Sequence, residues 1–202
     1  MGLDDITIQS IIFRVLALLI IAGVQGGVLA GAAGLLGDMG PRYDNRLTIL
    51  PFGHIDPLGA IGMILFGFGW AKPIAIDAGQ FRIGRAGIIV VILAGFVALL
   101  ATAFLLDALV RPALTSLPYT AGLTTAAFLR TASSLSIWFA LFNLLPVPPL
   151  TGGLLLGALG IRVSRQAQLI AAAILLLTVA TGLIGRGLGP AYAALAPALI
   201  GG

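Results

Sequence analysis

Four stretches of this chain carry no charged side chain: Val15–Gly37, Ala86–Leu106, Thr131–Ile161 and Gln166–Gly185. Each is long enough to cross a bilayer core, which takes about 20 apolar residues. Hydrophobic residues make up 59% of the chain and charged residues 9%, where a soluble domain runs nearer about a quarter charged. Pro57–Ala71, Pro112–Leu129 and Gly187–Gly202 are shorter or broken by proline, and read as re-entrant, interfacial or tilted elements. The expected fold class is all-α: a polytopic transmembrane helical bundle of roughly five or six spans, one of them broken or re-entrant. Residues 1–202 read as a single membrane domain.

The net charge is +4. In a membrane chain Lys and Arg gather on the cytoplasmic side, so the charge reports topology and implies no nucleic-acid partner. One side collects Arg42, Arg46, Lys72, Arg82, Arg85, Arg162 and Arg165, the other Arg14, Arg111, Arg130 and Arg186. The first is read as cytoplasmic, with Asp4 and Asp5 outside. A secretory signal opens with positive charge and has a short apolar region, whereas this start carries Asp4 and Asp5 and its apolar run is far longer, so the first helix is read as retained. There is no cysteine, which removes disulfides from the argument. Many arginines against the single Lys72, with abundant Ala and Gly, point to a GC-rich bacterial genome and a multi-pass protein of the inner membrane.

Two long motifs stand out. The first is Arg46-Leu-Thr-Ile-Leu-Pro-Phe-Gly-His-Ile-Asp-Pro-Leu-Gly59, followed by Phe68-Gly-Trp-Ala-Lys-Pro73; it contains His54, Asp56, Pro57, Trp70, Lys72 and Pro73. The second is Phe142-Asn-Leu-Leu-Pro-Val-Pro-Pro-Leu-Thr-Gly-Gly153, with Asn143, Pro146, Gly152 and Gly153. Together, and in this order, they resemble the site-2 protease family of intramembrane zinc metalloproteases, in its compact bacterial branch. A third stretch, Gln25-Gly-Gly-Val-Leu29 ahead of Gly37-Asp38, lies in the register of that family's HExxH. The likeness runs over residues 15–160, leaving helices over 166–202 beyond it.

What the resemblance implies about the chemistry is mostly a loss. In HExxH two histidines four apart bind one zinc and the glutamate acts as general base. Here Gln25 and Leu29 stand at the ligand positions, Gly26 at the base and Thr151 at the aspartate ligand. A zinc site takes at least three ligands from His, Cys, Asp or Glu. The chain has one histidine and no glutamate or cysteine. No zinc, no other cofactor and no catalysis are therefore expected.

His54 reads as a structural residue capping a re-entrant turn beside Asp56. A metal held by His54, Asp56 and Asp44, or a serine nucleophile at Ser133, Ser134 or Ser136 fed by His54, are weaker readings. No Gly-x-Ser-x-Gly elbow accompanies those serines. Gln25 is an amide inside a span and needs a hydrogen-bond partner; the resemblance would bring Thr151 opposite it, since the two positions would jointly hold zinc in the active relatives, and so implies a contact directly, through one water or through Asn143. Leu29 should pack beside them. Gly23, Gly27 and Gly31 form a stripe that admits close helix packing, either within the molecule or against a partner's helix. Arg130 is expected at a helix start, reaching for water. The function expected is binding: an accessory or scaffold subunit of a membrane complex, or a pseudoprotease that holds transmembrane clients uncut. Its partners would be other integral membrane proteins and lipids.

Overall fold

The computed structural model describes residues 6–161 and 163–200. Asp4, Asp5 and Arg162, which bear on the topology, lie outside the described residues. In chain order the helices are α1 (Ile8–Leu36), α2 (Gly40–Tyr43), α3 (Pro57–Phe66), α4 (Gly87–Ala108), α5 (Val110–Ser116), α6 (Tyr119–Asn143), α7 (Leu154–Ala158), α8 (Arg165–Ala180) and α9 (Leu183–Leu199). The described residues contain no strand, only an isolated antiparallel bridge between Ile55 and Ala71.

Among the described residues, three helical runs are long and apolar enough to cross a membrane: α1, the run Gly84–Ser116 that contains α4 and α5, and α6. The number rises to four if α8 and α9, bent by 74° at their junction, count as one broken span. The expected five or six are not confirmed, and the reason is local. Uncharged runs are not helices: Thr131–Ile161 holds the last part of α6, a break and α7. Pro112–Leu129 holds most of α5 and the first part of α6. Arg130 lies inside α6, not at its start, because arginine is a good helix former and nothing there interrupts the ladder. It stays exposed. Three residues on, the Ser133 hydroxyl donates to the Ala103 carbonyl near the end of α4, so Arg130 is level with the end of that apolar run.

Local chemistry sets the helix ends. Thr7 and Ser10 form a reciprocal capping box on α1, and Gly37 ends it at φ 122°. Asp56 caps α3 by accepting from the Gly59 amide, Pro57 opens it, and Gly67 closes it in the left-handed region, the conformation that favours glycine. Leu18 and Ile21 of α1, Met63 of α3, Leu99 of α4, and Leu135 and Phe139 of α6 make the central core. The bent pair α8–α9 closes one flank, where Trp138 stacks on Tyr192 at 4.3 Å and Phe68 meets Trp138 and Phe142 edge-on.

Two of the arginines that suggest topology are structural. Arg14 is buried and donates to the Ile64 and Leu65 carbonyls at the end of α3, where helix carbonyls lack intrahelical partners. Arg46 is buried as well. The glycine stripe of α1 also has an internal occupant. The chain returns after α2 and runs along α1 as an extended segment. Leu47 lies nearest Gly31, the Thr48 carbonyl would sit 2.9 Å from a Cβ on Gly27, and the Ile49 carbonyl would overlap one on Gly23. Gly23 and Gly27 thus admit this segment of the same chain, not a helix. Gly31 touches only the tip of Leu47.

Candidate functional site

The second motif breaks the helix after Asn143 and returns through Pro146, Pro148 and Pro149 to a short turn at Thr151–Gly153. Glycine is needed there. A Cβ on Gly152 would overlap the Leu144 and Leu145 carbonyls, and one on Gly153 would lie 2.9 Å from the Pro148 nitrogen. Asn143 holds the break in place: its amide donates to the Phe139 carbonyl of its own helix and to the Gly69 carbonyl of the first motif. Trp70 beside it is buried. The first motif is in turn pinned by Lys72, whose amide donates to the His54 carbonyl at 2.7 Å and whose carbonyl accepts from Arg46 at 2.8 Å.

These ties bring Thr151 to α1. Gln25 Nε2 donates to Thr151 Oγ1 at 2.9 Å, directly, one of the three routes that the resemblance implied. Gln25 Oε1 is buried and has no hydrogen-bond partner among the described residues. Leu29 packs beside the pair, against Gly95 of α4, where a Cβ would fall 2.9 Å from its Cδ2. What space remains beside Gly26, Leu29 and Thr151 is a cavity of about 30 Å³, room for roughly one water.

His54 closes the turn Pro51–Gly53, its amide donating to the Pro51 carbonyl at 2.8 Å, and Asp56 two residues on caps α3. The His54 ring lies on Gly26, where a Cβ would overlap the imidazole. The space left by the missing side chain at Gly26 is therefore the space that His54 fills. Arg46 Nε donates to His54 Nδ1 at 3.3 Å, so the proton sits on Nε2, which lies 2.8 Å from the Thr48 carbonyl and donates to it. Burial lowers the pKa of His54, the bond to Thr48 opposes that, and the Arg46 charge adds to it. Burial also pulls Arg46 below the usual guanidinium range, against the attraction of Asp44. The serines stand apart from His54: Ser133 bonds Ala103, Ser136 bonds Ala132 and Ser134 bonds Tyr192.

A zinc ion does not fit these residues. The donors facing the point between α1 and the break are a neutral amide and a hydroxyl, bonded to each other, with a leucine at the remaining ligand position. Both His54 nitrogens are committed. Zinc asks for at least three imidazole, thiolate or carboxylate ligands.

Beside this closed point lies an open groove of about 730 Å³. One wall is the extended segment Pro73–Asp77; the other is Pro148–Leu150, Gly153, Leu154 and the start of α8. The segment is anchored at both ends, by Lys72 and by the Asp77 amide, which donates to the buried Asp38 at 2.8 Å. Between the anchors, the main chain of Ile74, Ala75 and Ile76 makes no hydrogen bond to any described residue. Ile74 is buried, Ala75 exposed and Ile76 half-buried, the alternation of a strand edge. Three residues are short for a pattern, so the sequence alone did not mark this edge. Arg46 and Asp38 stand inside the motifs without a role there; a lone charge in an apolar stretch is the signal that each has a buried partner.

Fold and site together define a multi-pass helical membrane protein with a broken helix facing α1. Compared with known proteins, the chain is 36% identical over 124 residues to the "Putative zinc metalloprotease YwhC" of Bacillus subtilis (strain 168). The match takes in 57% of this chain and 54% of that protein, so the chain spans about half the length of this curated relative. The similarity supports a site-2-protease-like relationship. No family profile matches the chain, and no solved structure does.

Proposed function

We propose that this chain is a non-catalytic relative of the site-2 proteases that works by binding inside a bacterial inner membrane. It acts as an accessory subunit of a larger membrane complex. The observation that carries the reading is the contrast at one place in the molecule. The Gln25–Thr151 pair closes the point where the resemblance puts a metal, while the groove next to it stays open. Hydrolysis needs a polarised water and a base, and neither the residue at Gly26 nor any glutamate elsewhere in the chain supplies one. Two tests bear on it. Metal analysis of the pure protein should give far less than one zinc per chain, and about one per chain would sink the non-catalytic reading. A photoreactive residue at Ala75 should, in native membranes, form an adduct with a membrane protein that also co-purifies with the unmodified chain in mild detergent. A chain that runs alone in both settings is no subunit.

A second reading concerns what the groove holds. The free main chain at Ile74–Ile76 favours an extended or unwound segment of another membrane protein, paired along this edge, as in a pseudoprotease that holds a client uncut. The same adduct separates the two readings. A stoichiometric partner marks a subunit, and a mixture of transient adducts marks clients.

A further inference from the structure

Resting on the reading of the groove as a binding surface, we propose that the segment it takes carries a carboxylate at the flank of its apolar stretch, and that Arg85 selects it. Among the described residues, the charged ones that line the groove are Asp77 and Arg85. Asp77 is engaged: Oδ1 accepts from the Gly79 amide and Oδ2 from the Gln80 side chain. Arg85 is exposed, and its side chain makes no hydrogen bond or ion pair with any described residue. The rest of the wall is largely apolar, with Ile88, Leu154 and Ile161. An apolar segment laid along Ile74–Ile76 therefore meets Arg85, a cation without a partner among the described residues. A guanidinium presents a planar fork of donors that matches a carboxylate bidentately. A lysine at the same flank of the segment would be repelled. The occupant is peptide and not lipid, because an acyl chain leaves the main-chain N–H and C=O groups of the edge without partners.

The test uses the whole chain in nanodiscs of zwitterionic lipid. The probes are fluorescent valine-rich peptides flanked by glutamate, glutamine or lysine. The glutamate peptide should bind roughly two- to fivefold tighter than the glutamine one at low salt, and the lysine peptide weakest. Arg85→Gln should level the first two, and Arg85→Glu should reverse the order in favour of lysine. The exposed position leaves the fold intact. Equal binding of glutamate and glutamine peptides to the native chain overturns the role of Arg85 while leaving the groove as a binding surface. Binding of none of them overturns the groove reading and this inference with it. If Arg85→Gln changes only the affinity for phosphatidylglycerol vesicles, with no peptide preference in the native chain, the cation serves lipid and the proposal falls.

Discussion

The two hollows that share Pro73, Ile74, Pro149, Leu150 and Leu154 as walls differ in size by more than tenfold, about 30 Å³ against about 730 Å³. In the smaller, side chains have closed on one another: amide on hydroxyl, imidazole on bare glycine, leucine on the glycine of α4. In the larger, one wall is a segment held by hydrogen bonds at both ends, with none to the main chain between them among the described residues. On the reading proposed above, a chemical site collapses by single replacements because its neighbours fill the volume, while a main-chain edge does not depend on side-chain identity and persists through them. The two hollows would then separate what chemistry needs from what binding needs, within one wall of the same fold.

The sharpest way to break it is to force the small hollow open. Gly26→Ala places a Cβ inside the His54 ring and should destabilise by about 3 kcal/mol, the upper end for overpacking. Thermal unfolding in detergent reads this out. Adding His54→Ala should recover a large part of the loss. If Gly26→Ala alone is harmless, the imidazole does not stand where the structure puts it.

Acidification tests the same contact next. His54 is held neutral in the fold, below its ordinary value of 6.5. A base with a lowered folded pKa contributes stability that is present above the unfolded value and is lost as pH falls below it. Unfolding should therefore grow easier below about pH 6.5, by up to about 1.4 kcal/mol per pH unit, and His54→Gln should remove that slope. A native chain with the same slope as His54→Gln would show the imidazole to be free.

Thr151→Val sharpens the comparison more gently. It removes one hydrogen bond and leaves the Gln25 amide unpaired, costing about 1 kcal/mol without touching the groove. Peptide binding should be unchanged while the unfolding temperature drops. The smallest effect should come at Gly34, where a Cβ meets nothing within 4 Å. Gly34→Ala should stabilise by roughly 0.5 to 1 kcal/mol through the usual helix preference, in contrast to Gly23→Ala, which must displace the Ile49 carbonyl. Equal effects at both positions would mean that the extended segment does not lie on α1.

Much of this molecule is legible in its residues alone. Long uncharged runs state a membrane protein, because nothing else accommodates so much apolar surface with so few charges. The proline and glycine cluster after Asn143 states a broken helix, because proline cannot continue the ladder. The pairing of Gln25 with Thr151 follows from an amide that needs a partner and a motif register that supplies one. The span count, the place of Arg130 and the occupant of the Gly23–Gly27 stripe do not follow. Charges mark boundaries only where they face water, and Arg14 and Arg46 instead serve carbonyls from inside. A stripe of glycines states that something comes close, and only tertiary packing decides that it is residues 47–51 of the same chain. The free edge at Ile74–Ile76 belongs to the same class. Whether a main-chain group is satisfied depends on what folds beside it, and that information is carried by the anchors at Asp38 and Arg46, far along the chain from the three residues whose main chain they leave without a hydrogen bond.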